Sequence, residues 1–275
     1  MRFFSDPWDS YFIRDTRKNL IPTLKNKLGI HDFYILSKAE YAITYERMSE
    51  ILFDDRHDYK TFDASHIKTI HAHLFQDIYK WAGQYRTVEI SKKNNGTIHS
   101  FAPKKLIDTY LERVSETVKT TDWAHLSRQA FVEQISKVFA YLNQAHPFRE
   151  GNGRTARVFL MQVAELSPFE LRISRIDDKK EWNLASAESA PPPGTFEPRP
   201  EAMHKIMEGY TFQREIPGQN LQTPDIETKP PQTRQDLAES VSERVKTKIQ
   251  ARQSKTESQP RRDRKPPQPR PKRKP

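Results

Sequence analysis

The chain of 275 residues has no cysteine, only eight glycines and no long apolar run. The absence of cysteine excludes a disulfide framework and a thiolate metal site. No window approaches the roughly 18 apolar residues of a membrane-spanning helix, and the first residues lack the apolar stretch of a cleaved signal peptide. We therefore expect no membrane span and a cytoplasmic location.

Charge and proline are distributed unevenly along the chain. From Pro217 onward there are 15 Lys and Arg, 7 Asp and Glu, and 10 of the 20 prolines. This segment carries eight of the ten net positive charges. It has too few large apolar residues to offset the entropy cost of folding. We predict a disordered basic tail over residues 217–275, with a transient helix over residues 235–250.

The region before the tail has the periodicity of a mostly helical domain. Apolar residues at helical spacing predict four helices, which run through residues 36–52, 67–78, 106–114 and 131–142. Asp63 is a suitable N-cap for the second helix, and Pro103 can open the third. Between these two helices, the β-branched run 86–90, an Asn-Gly pair and the run 97–99 predict a β-hairpin.

Two glycines lie one residue apart in a segment that also contains an imidazole, a carboxylate and two arginines. The segment is His146-Pro147-Phe148-Arg149-Glu150-Gly151-Asn152-Gly153-Arg154-Thr155-Ala156-Arg157. Glycines let backbone N–H groups approach a ligand, and the following residues predict a helix whose N-terminal dipole favours an anion. We predict a phosphate-binding loop with a base and a metal-binding acid at its edge.

The residue types in this segment suggest separate roles. His146 is the candidate base, because an imidazole with a pKa of about 6.5 is largely neutral at pH 7. Glu150 offers a hard oxygen ligand for Mg²⁺. Taken singly, each of these residues is more often a capping, core or solvent-facing residue, so only their combined spacing favours a site. The predicted nucleotide-binding residues are Phe148 beneath the loop, Gly151, Asn152, Gly153, Arg154 and Arg157.

The segment matches, without a departure, the HPFx[DE]GNGRxxR signature of the Fic (filamentation induced by cAMP) family. The order of helices and hairpin also resembles that family over residues 35–210. The resemblance implies a mostly α, Fic-type helical bundle with a small β-hairpin flap. It divides the chain into an N-terminal extension over residues 1–34, a Fic domain over residues 35–210 and the basic tail over residues 217–275.

The resemblance also implies an activity. Most Fic proteins are protein adenylyltransferases, which move AMP from ATP to a Tyr, Thr or Ser hydroxyl of a target protein. In this chain His146 would be the general base and Glu150 the Mg²⁺ ligand. The flap residues Ile90, Ser91, Lys92 and Lys93 would pair with an extended segment of the target. The alternative for these residues is an ordinary surface hairpin.

Other functions stay open at the level of sequence. The same fold supports other nucleotidyl or phosphoryl transfer in relatives that replace the second glycine of the loop, so the intact Gly153 favours AMP transfer. The basic tail suggests nucleic-acid binding, or a signal that delivers an effector into another cell.

Regulation is a further open question. The chain has no complete match to the family's inhibitory segment [ST]xxxE[GN], since the candidate Thr211–Glu215 is followed by Ile216. The resemblance therefore implies a toxin silenced by a separate small antitoxin-type inhibitor, or no inhibitor.

Overall fold

The computed structural model describes residues 8–13, 21–53, 58–94, 97–174 and 176–215, with only the backbone described for residues 93, 94, 97 and 98. The predicted tail over residues 217–275, its transient helix and the Asn-Gly pair of the hairpin lie outside these ranges. Within them, none of the helices is long and apolar enough to cross a membrane.

The described residues form a mostly helical fold, which confirms the predicted fold class. The helices are α1 Phe33–Leu52, α2 Ala64–Phe75, α3 Ile107–Thr120, α4 Arg128–Ala145, α5 Asn152–Ala164, α6 Lys179–Glu188 and α7 His204–Gly209. The strands are β1 Ser91–Asn94, β2 Thr97–Ser100, β3 Phe169–Leu171 and β4 Thr211–Gln213. They pair as two antiparallel hairpin-like sheets, β1 with β2 and β3 with β4.

The four helices predicted from apolar spacing are present as α1 to α4. Asp63 caps α2, because its carboxylate accepts the N–H groups of Ser65 at 2.9 Å and His66 at 3.2 Å. Pro103 precedes a short 3₁₀ turn, which leads into α3. Helix α2 ends at Phe75, so Ile78 lies beyond it in the following turn.

Helix α4 lies at the centre of the core and fixes the position of the predicted loop. Its side chains Phe131, Ile135 and Val138 are fully buried. It packs against both α3 and α5. Because α4 ends at Ala145 and α5 begins at Asn152, residues 146–151 form a short connection between two buried helices. The loop is therefore held at both ends by the core.

A β-hairpin is present as predicted, but the predicted position of its first strand is wrong. Residues 86–90 are not a strand, and β1 begins at Ser91. Arg86 explains the difference, because its buried side chain donates from Nε to the His146 carbonyl at 2.9 Å and from Nη1 to the Val88 carbonyl at 2.7 Å. Its backbone N–H donates to the Pro147 carbonyl at 2.8 Å. These bonds tie residues 86–88 to the loop rather than to a partner strand.

The C-terminal part of the described chain was not predicted in detail. Strand β4 covers Thr211–Gln213 and pairs with β3. The candidate inhibitory segment Thr211–Glu215 therefore begins as a strand and not as a helix. Glu215 follows that strand and lies near Arg172. The hydrogen bond that Arg172 donates to Glu170 and, more weakly, the charge of Glu215 raise the pKa of Arg172.

Candidate active site

His146 ends helix α4 in a backbone conformation that is uncommon for a residue with a side chain. Its φ of 40° and ψ of 57° lie in the left-handed region. Its N–H still donates to the Leu142 carbonyl at 3.2 Å, and its own carbonyl accepts the Arg86 Nε–H at 2.9 Å. Surrounding contacts therefore impose this conformation, as is common at functional sites.

The His146 imidazole is held in one protonation state. Its ring lies parallel to the Phe101 ring, with centroids 3.6 Å apart and planes at 13°. Nδ1 is 3.4 Å from the Asn143 carbonyl oxygen, which can only accept, so Nδ1 carries the proton and Nε2 has a free lone pair. Burial lowers the pKa of His146 to about 3. The imidazole is thus a neutral base at pH 7.

The loop after His146 owes its shape to an asparagine and a glycine. The Asn152 side chain accepts the Phe148 N–H at 2.8 Å and donates to the Phe148 carbonyl at 2.7 Å, which closes the loop on itself. Gly151 has a φ of 84°, and a Cβ there would lie 2.1 Å from the buried Phe75 ring. Only glycine fits at this position, because both the backbone angle and the space exclude a side chain.

His71 supports the loop through a hydrogen bond and a ring contact. Its Nδ1 accepts the Gly83 N–H at 2.7 Å, so Nε2 carries the proton and donates to the Glu150 carbonyl at 3.1 Å. Its ring stacks on the buried Phe148 ring at a centroid distance of 3.8 Å. Burial lowers the pKa of His71 to about 3, which keeps this tautomer neutral. Phe148 is fully buried beneath the loop, and its predicted role in nucleotide binding stays a prediction.

The start of α5 offers backbone donors to an anion. Gly151 caps the helix without a side-chain hydrogen bond. In the described part of the chain, the Asn152 and Gly153 N–H groups donate no hydrogen bond. Because the first N–H groups of a helix have no intrahelical partner, these two can bind phosphate oxygens. Gly153 has open space where a side chain would project.

The charged residues of the segment face two directions. The Glu150 side chain is 44% exposed, and its Oε1 accepts the Gly151 N–H at 3.0 Å and lies 3.6 Å from Arg154 Nη2. Arg154 is turned inward, where its guanidinium pairs with Glu40 of α1. Arg157 donates to the Ser174 carbonyl at 3.2 Å, and burial lowers its pKa. Among the described residues, no carboxylate forms an ion pair with Arg157.

A cavity of about 320 Å³ brings most of the predicted residues together. His146, Phe148, Glu150 and residues 151–153 line it. Lys92 of β1, Phe101 directly after β2, and Trp182 and Asn183 of α6 also belong to the lining. Lys92 Nζ donates to Asn183 Oδ1 at 3.2 Å. The side chains of Arg154 and Arg157 do not contribute to the lining.

The N-terminal extension also reaches the segment. The Arg149 guanidinium lies over the Trp8 ring at 4.3 Å and the Phe12 ring at 5.2 Å from the centroids. The Tyr11 hydroxyl accepts the Thr87 N–H at 3.1 Å. Residues 8–13 therefore contact Arg149, whose position the signature leaves unspecified. Nothing in the sequence indicated this contact.

The chain matches the Fic/DOC family over residues 61–164. It is 34% identical over 161 residues to "Probable protein adenylyltransferase y4lH" of Sinorhizobium fredii, across 57% of this chain and 78% of that protein. The chain belongs to the Fic/DOC family. This Fic/DOC chain is also 35% identical over 165 residues to the protein adenylyltransferase VbhT of Bartonella schoenbuchensis. That match covers 60% of this chain and 33% of VbhT, so the chain spans about a third of the length of VbhT.

Solved structures share the Fic fold with this chain. The N-terminal Fic domain of a VirB-translocated Bep effector protein from Bartonella quintana, with bound ADP, is 28% identical. The match covers 75% of this chain and 96% of that chain with a TM-score of 0.62. BepC from Bartonella tribocorum, with bound AMPPNP, covers 75% of this chain and 98% of its own, with a TM-score of 0.63 at 24% identity. The predicted Fic-type helical bundle is confirmed.

Proposed function

We propose that this Fic/DOC chain is a protein adenylyltransferase, which moves AMP from ATP to a hydroxyl side chain of a target protein. One observation carries the proposal. A neutral His146 with a free Nε2 shares a cavity of about 320 Å³ with unpaired N–H groups at a helix start and with the Glu150 carboxylate. The relatives named protein adenylyltransferases and the ADP-bound Fic domain support it.

The reaction needs one base and one anion site. His146 Nε2 takes the proton of the target hydroxyl while the hydroxyl oxygen forms a bond to the α-phosphorus of ATP. The bond from that phosphorus to the bridging oxygen breaks, and pyrophosphate leaves with the electron pair. The Asn152 and Gly153 N–H groups hold the charged phosphate oxygens through this change. We also propose that Arg157, whose side chain lies outside the cavity lining and has no carboxylate partner among the described residues, turns to pair with the terminal phosphate.

Glu150 is the residue that would hold Mg²⁺. Its half-exposed carboxylate lines the cavity beside the phosphate-binding N–H groups. The described residues contain no group of three or more His, Cys, Asp or Glu that could hold a metal ion by themselves. A single carboxylate fits Mg²⁺, because this ion is commonly held by one or two carboxylates together with substrate phosphates and water. When bound, the ion neutralises the phosphate oxygens.

The hairpin is the proposed docking element for the target. The sheet has only the strands β1 and β2, so each strand keeps one unpaired edge within the described residues. An extended target segment can hydrogen-bond to such an edge. Ile90 directly precedes β1, and Ser91 to Lys93 lie along that strand. Lys92 also lines the cavity. The edge would set the register that brings a target hydroxyl to His146.

Labelled ATP distinguishes AMP transfer from the alternative of phosphoryl transfer. The purified chain is incubated with a cell lysate and with ATP labelled on either the α- or the γ-phosphorus. We expect label on protein from the α-phosphorus alone, and none with His146→Ala. Label from the γ-phosphorus alone would instead indicate a kinase. The delivery of this chain into another cell, and its silencing by an antitoxin-type protein, stay predictions.

A further inference from the structure

A buried carboxylate outside the segment 146–157 contacts one of the arginines of that segment. Glu40 lies in the second turn of α1, and its side chain is only 12% exposed. It accepts hydrogen bonds from Arg154 Nη2 and from the Tyr79 hydroxyl. The neighbouring Thr44 hydroxyl accepts Arg154 Nη1–H at 3.1 Å. Helix α1 therefore holds the Arg154 guanidinium through both of its terminal nitrogens.

Arg154 lies between two carboxylates. The same Nη2 that contacts Glu40 is 3.6 Å from Glu150 Oε1. The Arg154 side chain is 17% exposed, and its guanidinium also lies 4.8 Å from the centroid of the Phe75 ring. A guanidinium removed from water in this way needs a carboxylate partner, since an unpaired buried charge is costly. Glu40 is that partner, and Glu150 is the next available one.

We propose that Glu40 is a positioning residue that takes the Arg154 hydrogen bonds, limits the Arg154–Glu150 contact to an ion pair at 3.6 Å, and so keeps the Glu150 carboxylate available to a divalent cation. The inference rests on the proposed function, because it assigns the cation to Glu150. Without the Glu40 charge, Arg154 turns to Glu150 and closes the 3.6 Å gap to a charge-assisted hydrogen bond. The cation must then compete with a guanidinium for the same oxygens.

Nucleotide binding with and without Mg²⁺ tests this competition. Calorimetry gives the Kd of a non-hydrolysable ATP analogue in EDTA and in Mg²⁺, and the ratio of the two values measures the contribution of the cation. We expect Glu40→Gln to lower this ratio by about fivefold or more. Tyr79→Phe is the matched control, because it removes the other hydrogen bond to Glu40 but keeps the charge. Its ratio should stay within about twofold of the wild type.

A double-mutant cycle separates positioning from a general loss of structure. If Glu40 acts through Arg154, adding Glu40→Gln to Arg154→Gln changes the ratio no further. An unchanged ratio in Glu40→Gln would overturn the proposal. So would an equal loss in the presence and absence of Arg154, since Glu40 would then act by another route. Melting temperatures of all variants show whether each is folded.

A crystal structure of nucleotide-free Glu40→Gln gives a second readout that needs no nucleotide. We expect an Arg154 guanidinium nitrogen about 2.8 Å from a Glu150 oxygen. An Arg154 side chain that stays against Thr44 and away from Glu150 would contradict the proposal. The failure of the proposed function would look different, because the wild-type chain would then transfer no AMP while the Glu40→Gln structure still reports on Arg154.

Discussion

The two glycines at the start of α5 serve different purposes at the scale of single residues. Gly151 meets the Phe75 ring and has a positive φ, whereas Gly153 has open space and a backbone suited to any helical residue. Gly153 lines the cavity beside His146. The first glycine is thus required by the fold, and we propose that the second is required by the ligand.

Alanine at each position separates these roles. Gly151→Ala should destabilise the chain by about 2–4 kcal/mol, because it adds strain at a positive φ to a clash in the core. Gly153→Ala should keep or raise the unfolding free energy by up to about 1 kcal/mol, since alanine is the better helix former. It should nevertheless weaken nucleotide binding, because its methyl group projects into the cavity. Denaturant titration and calorimetry measure the two effects.

The variants Gly151→Ala and Gly153→Ala also serve as controls for each other. If Gly153→Ala binds nucleotide as tightly as the wild type, phosphate does not lie at this position. If Gly151→Ala unfolds at the same denaturant concentration as the wild type, the Phe75 ring does not limit the loop.

At the scale of elements, α2 and α5 are joined by a buried polar chain. His66 Nδ1 accepts the Phe62 N–H at 3.3 Å, so its Nε2–H donates to Gln162 Oε1 at 2.9 Å. Gln162 in turn donates to the Tyr59 hydroxyl at 2.9 Å. Burial lowers the pKa of His66 to about 4, with the charge of Lys60 as a smaller cause in the same direction and that of Asp63 opposed.

This depressed pKa predicts a pH-dependent stability. The unfolded His66 binds a proton below about pH 6.5 and the folded one only near pH 4, so the unfolding free energy falls as the pH drops between these values. The loss should be about 1.4 kcal/mol per pH unit below the unfolded pKa. His66→Gln should remove this part of the dependence when denaturant unfolding is compared at pH 7 and pH 5.

The control for this experiment is the exposed His125. Its side chain is 82% exposed, so His125→Gln controls for the loss of a histidine without a change in the core. Equal slopes for wild type and His66→Gln would show that His66 does not stay neutral in the folded chain.

Apolar residues at helical spacing predicted the helices that bury one face. The residue types in the segment 146–157 predicted the chemistry of the loop. The apolar stripes of α2 and α4 are visible in the sequence because their buried residues recur at helical spacing. The bonds that shape the site join distant residues. Arg86 is 60 residues from His146, and Glu40 is 114 residues from Arg154. A single sequence contains no sign of such pairings, and strands as short as β3 and β4 have too few residues to show an alternation.

At the scale of the whole molecule, Arg157 bears on regulation. Among the described residues it has no carboxylate partner, and the extended β4 excludes an inhibitory helix over Thr211–Gln213. The purified chain should therefore transfer AMP without an activating mutation. Glu215→Gly should change the rate by less than about twofold, because Glu215 lies near Arg172 instead. A rise of tenfold or more in the transfer rate of Glu215→Gly would show that the chain inhibits itself.

The basic tail should be separable from the folded part. We expect deletion of residues 217–275 to leave the melting temperature and AMP transfer to a small test substrate unchanged, since the tail has few residues that could join a core. Salt-dependent nucleic-acid binding, measured with a fluorescent oligonucleotide, should be lost if the tail binds nucleic acid. A drop of several degrees in the melting temperature would show that the tail packs on the domain.

The rate of AMP transfer by His146→Ala at saturating nucleotide tests most directly whether His146 is the general base. His146 supplies the free Nε2 in the cavity, and removal of a general base costs about 10²- to 10⁴-fold in rate. We predict a loss in this range, with the affinity for a non-hydrolysable ATP analogue and the melting temperature close to those of the wild type. A transfer rate within about threefold of the wild type would contradict the assignment of His146 as the base.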